Sequence, residues 1–193
     1  MSDKRSLRAF LAADPPAKIV DEIVRIEEHL KKTIKGDMRW VRPEGIHLTL
    51  KFFGNIYESD IANICQVVKD KTVSMRPLTL FMGRLGAFPT TTRPRVLWLG
   101  IDGDVEELIN LQKEIDAGLM NHGFGKDERP FKPHLTLSRI KEPKGLTGVA
   151  EAIGQNEDYT AGSFTVDGLS LFKSDLKPTG AVYTKLAHFP FPG

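Results

Sequence analysis

"GIHLTLKFFG", from Gly45 to Gly54, contains a tetrapeptide that returns in "FKPHLTLSRI", from Phe131 to Ile140. In an extended strand successive side chains point to opposite faces. His47 and Thr49 therefore share one face while Leu48 and Leu50 share the other, and His134 and Thr136 stand in the same way against Leu135 and Leu137. Each copy reads as a half-buried strand that anchors a leucine pair in a core and presents an imidazole and a hydroxyl together. The chain has five histidines, and the repeat uses one in each half.

Working outward, "SLRAFLAAD" reads as a strand. Pro15 and Pro16 then open "AKIVDEIVRIEEHLKKTI", a helix with Ile19, Ile23, Ile26 and Leu30 along one face and Lys31, Lys32 and Lys35 at its C-terminal end. "MRWVRPEGIHLTLKFFG" gives two extended segments broken at Pro43 to Gly45, and a second helix covers roughly Glu58 to Met75. "LTLFMGRLGAFP" and "RVLWLGID" are strands around the loop "TTTRP". "DVEELINLQKEIDAGLMNHG" is a third helix, with Leu108, Leu111, Ile115 and Leu119 inward and Gly123 near its stop. After the second motif strand, "FTVDGLSLFKSDL" and "GAVYTKLAHFPF" close the chain as strands around the turn "KPTG".

That order is an α+β pattern, with helices on one face of antiparallel sheets, and not the regular alternation of a doubly wound fold. No linker or low-complexity tract divides the 193 residues, so residues 1–193 are expected to form one domain of two similar lobes. With 40% hydrophobic and 27% charged residues the composition is that of an ordinary globular protein, and a net charge of +2 leaves any basic site to local arrangement. Cys65 is the single cysteine, which excludes an intramolecular disulfide, and its place in the apolar phase of the second helix reads as a buried, inert thiol. "MSDKRSLRAFLAADPP" is too mixed in charge and too short in apolar run for a signal peptide or a membrane span, so a cytoplasmic location is expected.

Two leucine-rich strands with a histidine at the edge would satisfy the repeat without any chemistry. The context points further: turn-forming residues precede both copies, and Lys51 and Arg139 follow them. Lobes paired about a pseudo-twofold axis would gather two imidazoles and two hydroxyls around one cleft. Histidines with unperturbed pKa values of about 6.5 can be held one neutral and one protonated near neutral pH. The neutral imidazole takes a proton from an attacking water or hydroxyl, and the protonated one donates to a leaving oxygen. The threonines hydrogen-bond the non-bridging oxygens, where charge builds up, so phosphodiester chemistry fits and no metal is needed. His29 and His122 on helices and His188 on a late strand read as structural or surface residues and supply no third zinc ligand. There is also no nucleophile-elbow motif and no glycine-rich phosphate loop.

At these residues the chain resembles the 2H phosphoesterase superfamily, named for two H-x-T motifs. It is most similar to the RNA 2′,3′-cyclic phosphodiesterases, also called 2′-5′ RNA ligases. "RAFLAADPP", "RWVRPEGIHLTLKFFG", "RVLWLGI", "RPFKPHLTLSRIK" and "LSLFKSDLKPTGAVYTKLAHFPF" fall in the family's order. The resemblance implies a bilobal fold whose H-x-T strands face each other across a cleft. It also implies opening of an RNA 2′,3′-cyclic phosphate to a 2′-phosphomonoester, with 2′-5′ ligation of tRNA halves as a reversible side activity. By the same resemblance His47 matches the proton donor to the leaving 3′ oxygen, His134 the base that activates water, and Thr49 and Thr136 the phosphate-binding threonines. The expected partner is RNA ending in a cyclic phosphate, with no cofactor, no membrane and a monomeric chain.

Arg139 stands where the family has an arginine near the phosphate, although strict alternation would put it on the leucine side of its strand. Phe52 matches an aromatic available to stack on a base, yet alternation puts Phe53 on the histidine face. Arg84, Arg93, Arg95, Arg129 and Lys132 are candidates for a basic rim along an RNA backbone. Two other readings fit the same residues: a relative acting on a small cyclic nucleotide, and a nucleotide- or RNA-binding module without turnover. The two intact H-x-T motifs argue against the latter.

Overall fold

The computed structural model describes residues 5–125, 129–178 and 180–193. The chain runs β1 (Ser6–Ala13), α1 (Ala17–Thr33), β2 (Lys35–Trp40), a single 3-10 turn (Pro43–Gly45), β3 (Leu48–Tyr57), α2 (Asp60–Thr72), β4 (Leu78–Phe88) and β5 (Val96–Gly103). It continues through α3 (Val105–Met120), β6 (His134–Thr147), α4 (Val149–Gly154), β7 (Thr160–Val166), β8 (Gly168–Lys177) and β9 (Gly180–Pro190). The α+β reading holds. One sheet has four strands in the order β3-β1-β8-β9, the other has five in the order β2-β6-β5-β4-β7, and all pairings are antiparallel.

The chain crosses between the sheets repeatedly: β1, β3, β8 and β9 build one, while β2 and β4 to β7 build the other. The two motif strands therefore belong to different sheets, β3 at an edge and β6 inside, and they touch each other in space. Both leucine pairs are buried, at 3% exposure or less, in one apolar cluster that spans both sheets. A fully buried leucine contributes about 1.5–3 kcal/mol, so the four anchor both motif strands firmly. Ile19, Ile23, Ile26 and Leu30 of α1 and Leu108, Leu111, Ile115 and Leu119 of α3 enter the same cluster. α1 packs against β2 and β7, whereas α2 and α3 pack on each other and on β3, so the helices leave one face of each sheet bare.

Three local expectations are corrected. "FTVDGLSLFKSDL" is not one strand: it breaks at Asp167, which sends β7 to the five-stranded sheet and β8 to the four-stranded one. The chain also forms α4, a helix of 6 residues that carries too little apolar periodicity to announce itself. His122 lies in the turn after α3, because that helix stops at Met120. Cys65 is half-buried against the core, and desolvation raises its pKa.

Candidate active site

Both motifs carry the same interruption of the strand rhythm. In β3, Ala12 pairs with Thr49 and Leu11 with Lys51, which leaves Leu50 as an extra residue. In β6, Trp98 pairs with Thr136 and Leu97 with Ser138, which leaves Leu137 extra. Each is a β-bulge three residues after a motif histidine, and a bulge reverses the alternation beyond it. Lys51 and Ser138 consequently turn into the core, at 4% and 0% exposure, while Phe52 and Arg139 turn to the helix-free face that carries the threonines.

The bulges correct two expectations from strict alternation. Phe52, not Phe53, lies on the histidine side: it is 60% exposed, with its ring 5.9 Å from that of Phe10. Phe53 packs edge-on against Phe124 in the core. Lys51 brings no charge to the cleft, because its ammonium is buried in an ion pair with Asp116 and reaches the Gly125 carbonyl.

His47 sits one residue before β3, among the rings of Phe10, Phe172 and Tyr183 at centroid distances of 5.5, 4.8 and 5.2 Å. Its Nδ1 donates to Asp14 Oδ1 at 3.2 Å, and its Nε2 is buried with no hydrogen-bond partner among the described residues. Asp14 follows β1 directly, just before Pro15, and also accepts from Lys185 Nζ at 2.8 Å. Burial alone would raise the Asp14 pKa, but hydrogen bonds from His47 and Lys185, with their charges, outweigh it and bring the carboxyl to about 2. Ser170 lies behind, its hydroxyl 3.5 Å from Asp14 Oδ2 and 3.0 Å from His188 Nδ1.

His134 opens β6 against Phe88 and Trp98, at 5.1 and 6.4 Å. Its Nδ1 donates to the Lys132 carbonyl at 2.6 Å, which assigns the proton to Nδ1 and leaves Nε2 as the acceptor. Burial among these groups lowers its pKa; the backbone hydrogen bond opposes that shift and the Arg139 charge adds to it. The net shift favours the neutral ring. The Trp98 indole N–H is also buried without a partner among the described residues, on the face it shares with Thr136. The indole lies where a Gly86 side chain would be, since a methyl group there would come within 2.2 Å of it.

The rim candidates divide. Lys132 holds His134 through its carbonyl and places its ammonium 6.0 Å from the Phe88 ring centroid. Arg93, Arg95 and Arg129 are exposed, and Arg95 bonds through its main chain to Phe88 and Ile140, at the Arg139 end of β5. Arg84 lies toward the opposite end, paired with Asp102 at 2.7 Å beside a hollow of about 390 Å³ that Glu157 and Asp158 also line. An arginine already paired with a carboxylate there is a poor rim residue. Asp14, Tyr183, Lys185 and Trp98 were not identified from the sequence; the one trace of the first is an aspartate between a strand and a Pro-Pro pair.

The two imidazoles thus stand at the heads of strands in separate sheets, each among aromatic rings and each two residues before a threonine. Residues 15–178 match the 2′-5′ RNA ligase superfamily, and the chain belongs to that family. It is 36% identical over 183 residues, 95% of this chain and 98% of the other, to an RNA 2′,3′-cyclic phosphodiesterase of Methanothermobacter thermautotrophicus. A protein of the same name from Methanocaldococcus jannaschii is 34% identical, with 92% and 96% covered. Among solved structures, TT0787 of Thermus thermophilus superposes with a TM-score of 0.79 at 26% identity, covering 97% of this chain and 99% of that one. E. coli LigT complexed with 3′-AMP superposes at 0.76 and 25% identity, covering 98% and 100%.

Proposed function

We propose that this chain opens 2′,3′-cyclic phosphates at RNA 3′ ends to 2′-phosphomonoesters, with His134 as base and His47 as acid. The observation that carries the assignment is the unequal wiring of the two imidazoles. One shares its Nδ1 proton with a carboxylate that stays ionised, and the other with a neutral carbonyl beside an arginine charge. The carboxylate holds the His47 ring by Nδ1 and leaves Nε2 to face a leaving oxygen; burial and a neighbouring cation favour the neutral ring of His134. Supporting the substrate class, relatives that match nearly end to end bear the name RNA 2′,3′-cyclic phosphodiesterase.

The reaction then runs in line. Water attacks phosphorus as Nε2 of His134 takes its proton, the P–O3′ bond breaks, and O3′ receives the proton from Nε2 of His47. The hydroxyls of Thr49 and Thr136 and the guanidinium of Arg139 bind the non-bridging oxygens as charge grows on them. The leaving oxygen supplies the partner that His47 Nε2 lacks, and to reach it the ring cluster must part; Tyr183 is its member on the edge strand. A 5′-hydroxyl in place of water would give a 2′-5′ linkage by the same steps, and this is the route by which the chain would ligate RNA halves.

The test is a short RNA ending in a 2′,3′-cyclic phosphate, incubated with and without excess chelator, with the product assigned as 2′- or 3′-phosphate. The 2′-phosphate at undiminished rate is expected. A 3′-phosphate product would overturn the leaving-group assignment, and loss of activity restored by a divalent metal would overturn the two-imidazole mechanism.

A further inference from the structure

Arg39 of β2 stands directly opposite Arg139 of β6. Because the bulge at Leu137 turns Arg139 onto the helix-free face, its cross-strand partner Arg39 is on that face too. Like charges in direct opposition destabilise a sheet. Other arginines and lysines here are relieved by carboxylates: Arg76 by Asp104 and Glu107, Arg84 by Asp102, Lys185 by Asp14. Neither Arg39 nor Arg139 has an ion pair among the described residues, and both are exposed. The Arg39 side chain reaches the other sheet: a methyl group at Gly180, the first residue of β9, would lie 2.9 Å from Arg39 Nη2 and 3.6 Å from Arg42 Cζ. The guanidinium groups of Arg39 and Arg42 thus meet at Gly180, with Arg139 directly across the strand from Arg39.

This cluster connects to both halves of the catalytic pair. Along β6, Arg139 comes three residues after Thr136, and along β9, Tyr183, whose ring is 5.2 Å from His47, comes three residues after Gly180. At about 3.3 Å per residue either path is roughly 10 Å, within reach of one nucleotide and an arginine side chain. A cyclic phosphate ends its strand on the 3′ side, so any further phosphate of that strand lies 5′ of it. We propose that Arg39, with Arg42 beside it, forms a second anion subsite that holds the phosphate 5′ of the nucleoside bearing the cyclic phosphate, and leaves Arg139 to the cyclic phosphate itself. Guanidinium forks match phosphate oxygens in pairs, and an anion there relieves the opposed charges. The proposal rests on the cyclic phosphodiesterase reading and extends it to a choice among substrates.

The test compares kcat/KM for three substrates: a nucleoside 2′,3′-cyclic phosphate with a free 5′-hydroxyl, the same compound with a 5′-phosphate, and a dinucleotide ending in the cyclic phosphate. The 5′-phosphate and the dinucleotide should each exceed the first by roughly tenfold to a hundredfold, the size expected of hydrogen bonds to a charged group. In Arg39→Gln both ratios should fall toward one, and Arg39→Lys should retain part of each. The salt dependence of dinucleotide turnover should also weaken in Arg39→Gln, by about 0.7 in log-log slope, because one phosphate is no longer neutralised. Gain from the dinucleotide alone, persisting in Arg39→Gln, would place the preference on the added base and overturn the subsite. Equal rates on all three substrates would overturn it while leaving the cyclic phosphodiesterase reading intact. Inertness of the wild type toward all three would instead sink that parent reading.

Discussion

Asp14 Oδ1 lies 3.2 Å from Nδ1 of His47, a charged contact that His134 lacks. Because the carboxyl titrates near 2, it is ionised at any pH at which an imidazole works. Asp14→Asn keeps an acceptor for Nδ1 of His47 but removes the carboxylate charge beside the ring. The kcat/KM on the cyclic phosphate should therefore fall. The loss in rate should not exceed about 10²–10⁴, the whole worth of a general acid. An equal loss on a substrate whose leaving group needs no proton would make Asp14 merely structural.

Arg139→Gln should act on the acid limb of the kcat/KM profile. Arg139 contributes to the lowered pKa of His134, so without its charge the ring protonates more easily. Loss of the base then sets in at higher pH, and the acid limb should move up. An NMR titration of the imidazoles should show the same displacement for His134, which titrates below the usual histidine value of about 6.5 in the parent protein. An unmoved limb and an unmoved resonance would remove Arg139 from the site.

The buried pair behind β3 gives a stability prediction. Lys51→Met takes the buried ammonium away from the Asp116 carboxylate and should cost up to about 3–5 kcal/mol in a urea titration. Lys51→Met with Asp116→Leu should recover most of that loss, since replacing both partners by apolar groups leaves no buried charge. A mild effect of the single change would mean that Lys51 serves the cleft after all.

Lys51 also shows where sequence reading stops. The strands, the three long helices and the leucine-in, histidine-out sense of both motifs follow from periodicity, because each repeats over many residues. A bulge is a property of two paired strands and has no residue type of its own, so alternation carried past Leu50 or Leu137 assigns the next residues to the wrong face. Asp14 and Arg39 were missed for a related reason. Asp14 gains meaning from the fold that brings β1 beside β3, and Arg39 from its register opposite Arg139.

The two phenylalanines make the reversal measurable. Phe52→Ala should raise KM for a base-containing substrate, with stacking worth about 1–3 kcal/mol per base, and should leave stability within about 0.5 kcal/mol. Phe53→Ala should cost about 1–3 kcal/mol of stability, less than the 3–5 of a fully buried phenylalanine, with KM little changed. The opposite pattern would restore strict alternation and contradict the bulge.

The last prediction separates the imidazoles by the oxygen each serves. Expelling the 3′ alkoxide requires a proton as the bond breaks, so His47→Ala should be slow on a cyclic phosphate by about 10²–10⁴. An activated aryl phosphodiester leaves as a weak base and needs no acid, so His47→Ala should regain most of its rate on that substrate. His134→Ala lacks the acceptor for the water proton, whatever the leaving group, and should stay slow. Asp14→Asn, which acts through His47, should be rescued along with His47→Ala. Arg139→Gln, which acts on the transition-state charge and on His134, should not. Rescue of His134→Ala alone would reverse the two roles, and equal rescue of both histidine variants would show that the unequal hydrogen bonding at Asp14 and Lys132 does not set the direction of proton flow.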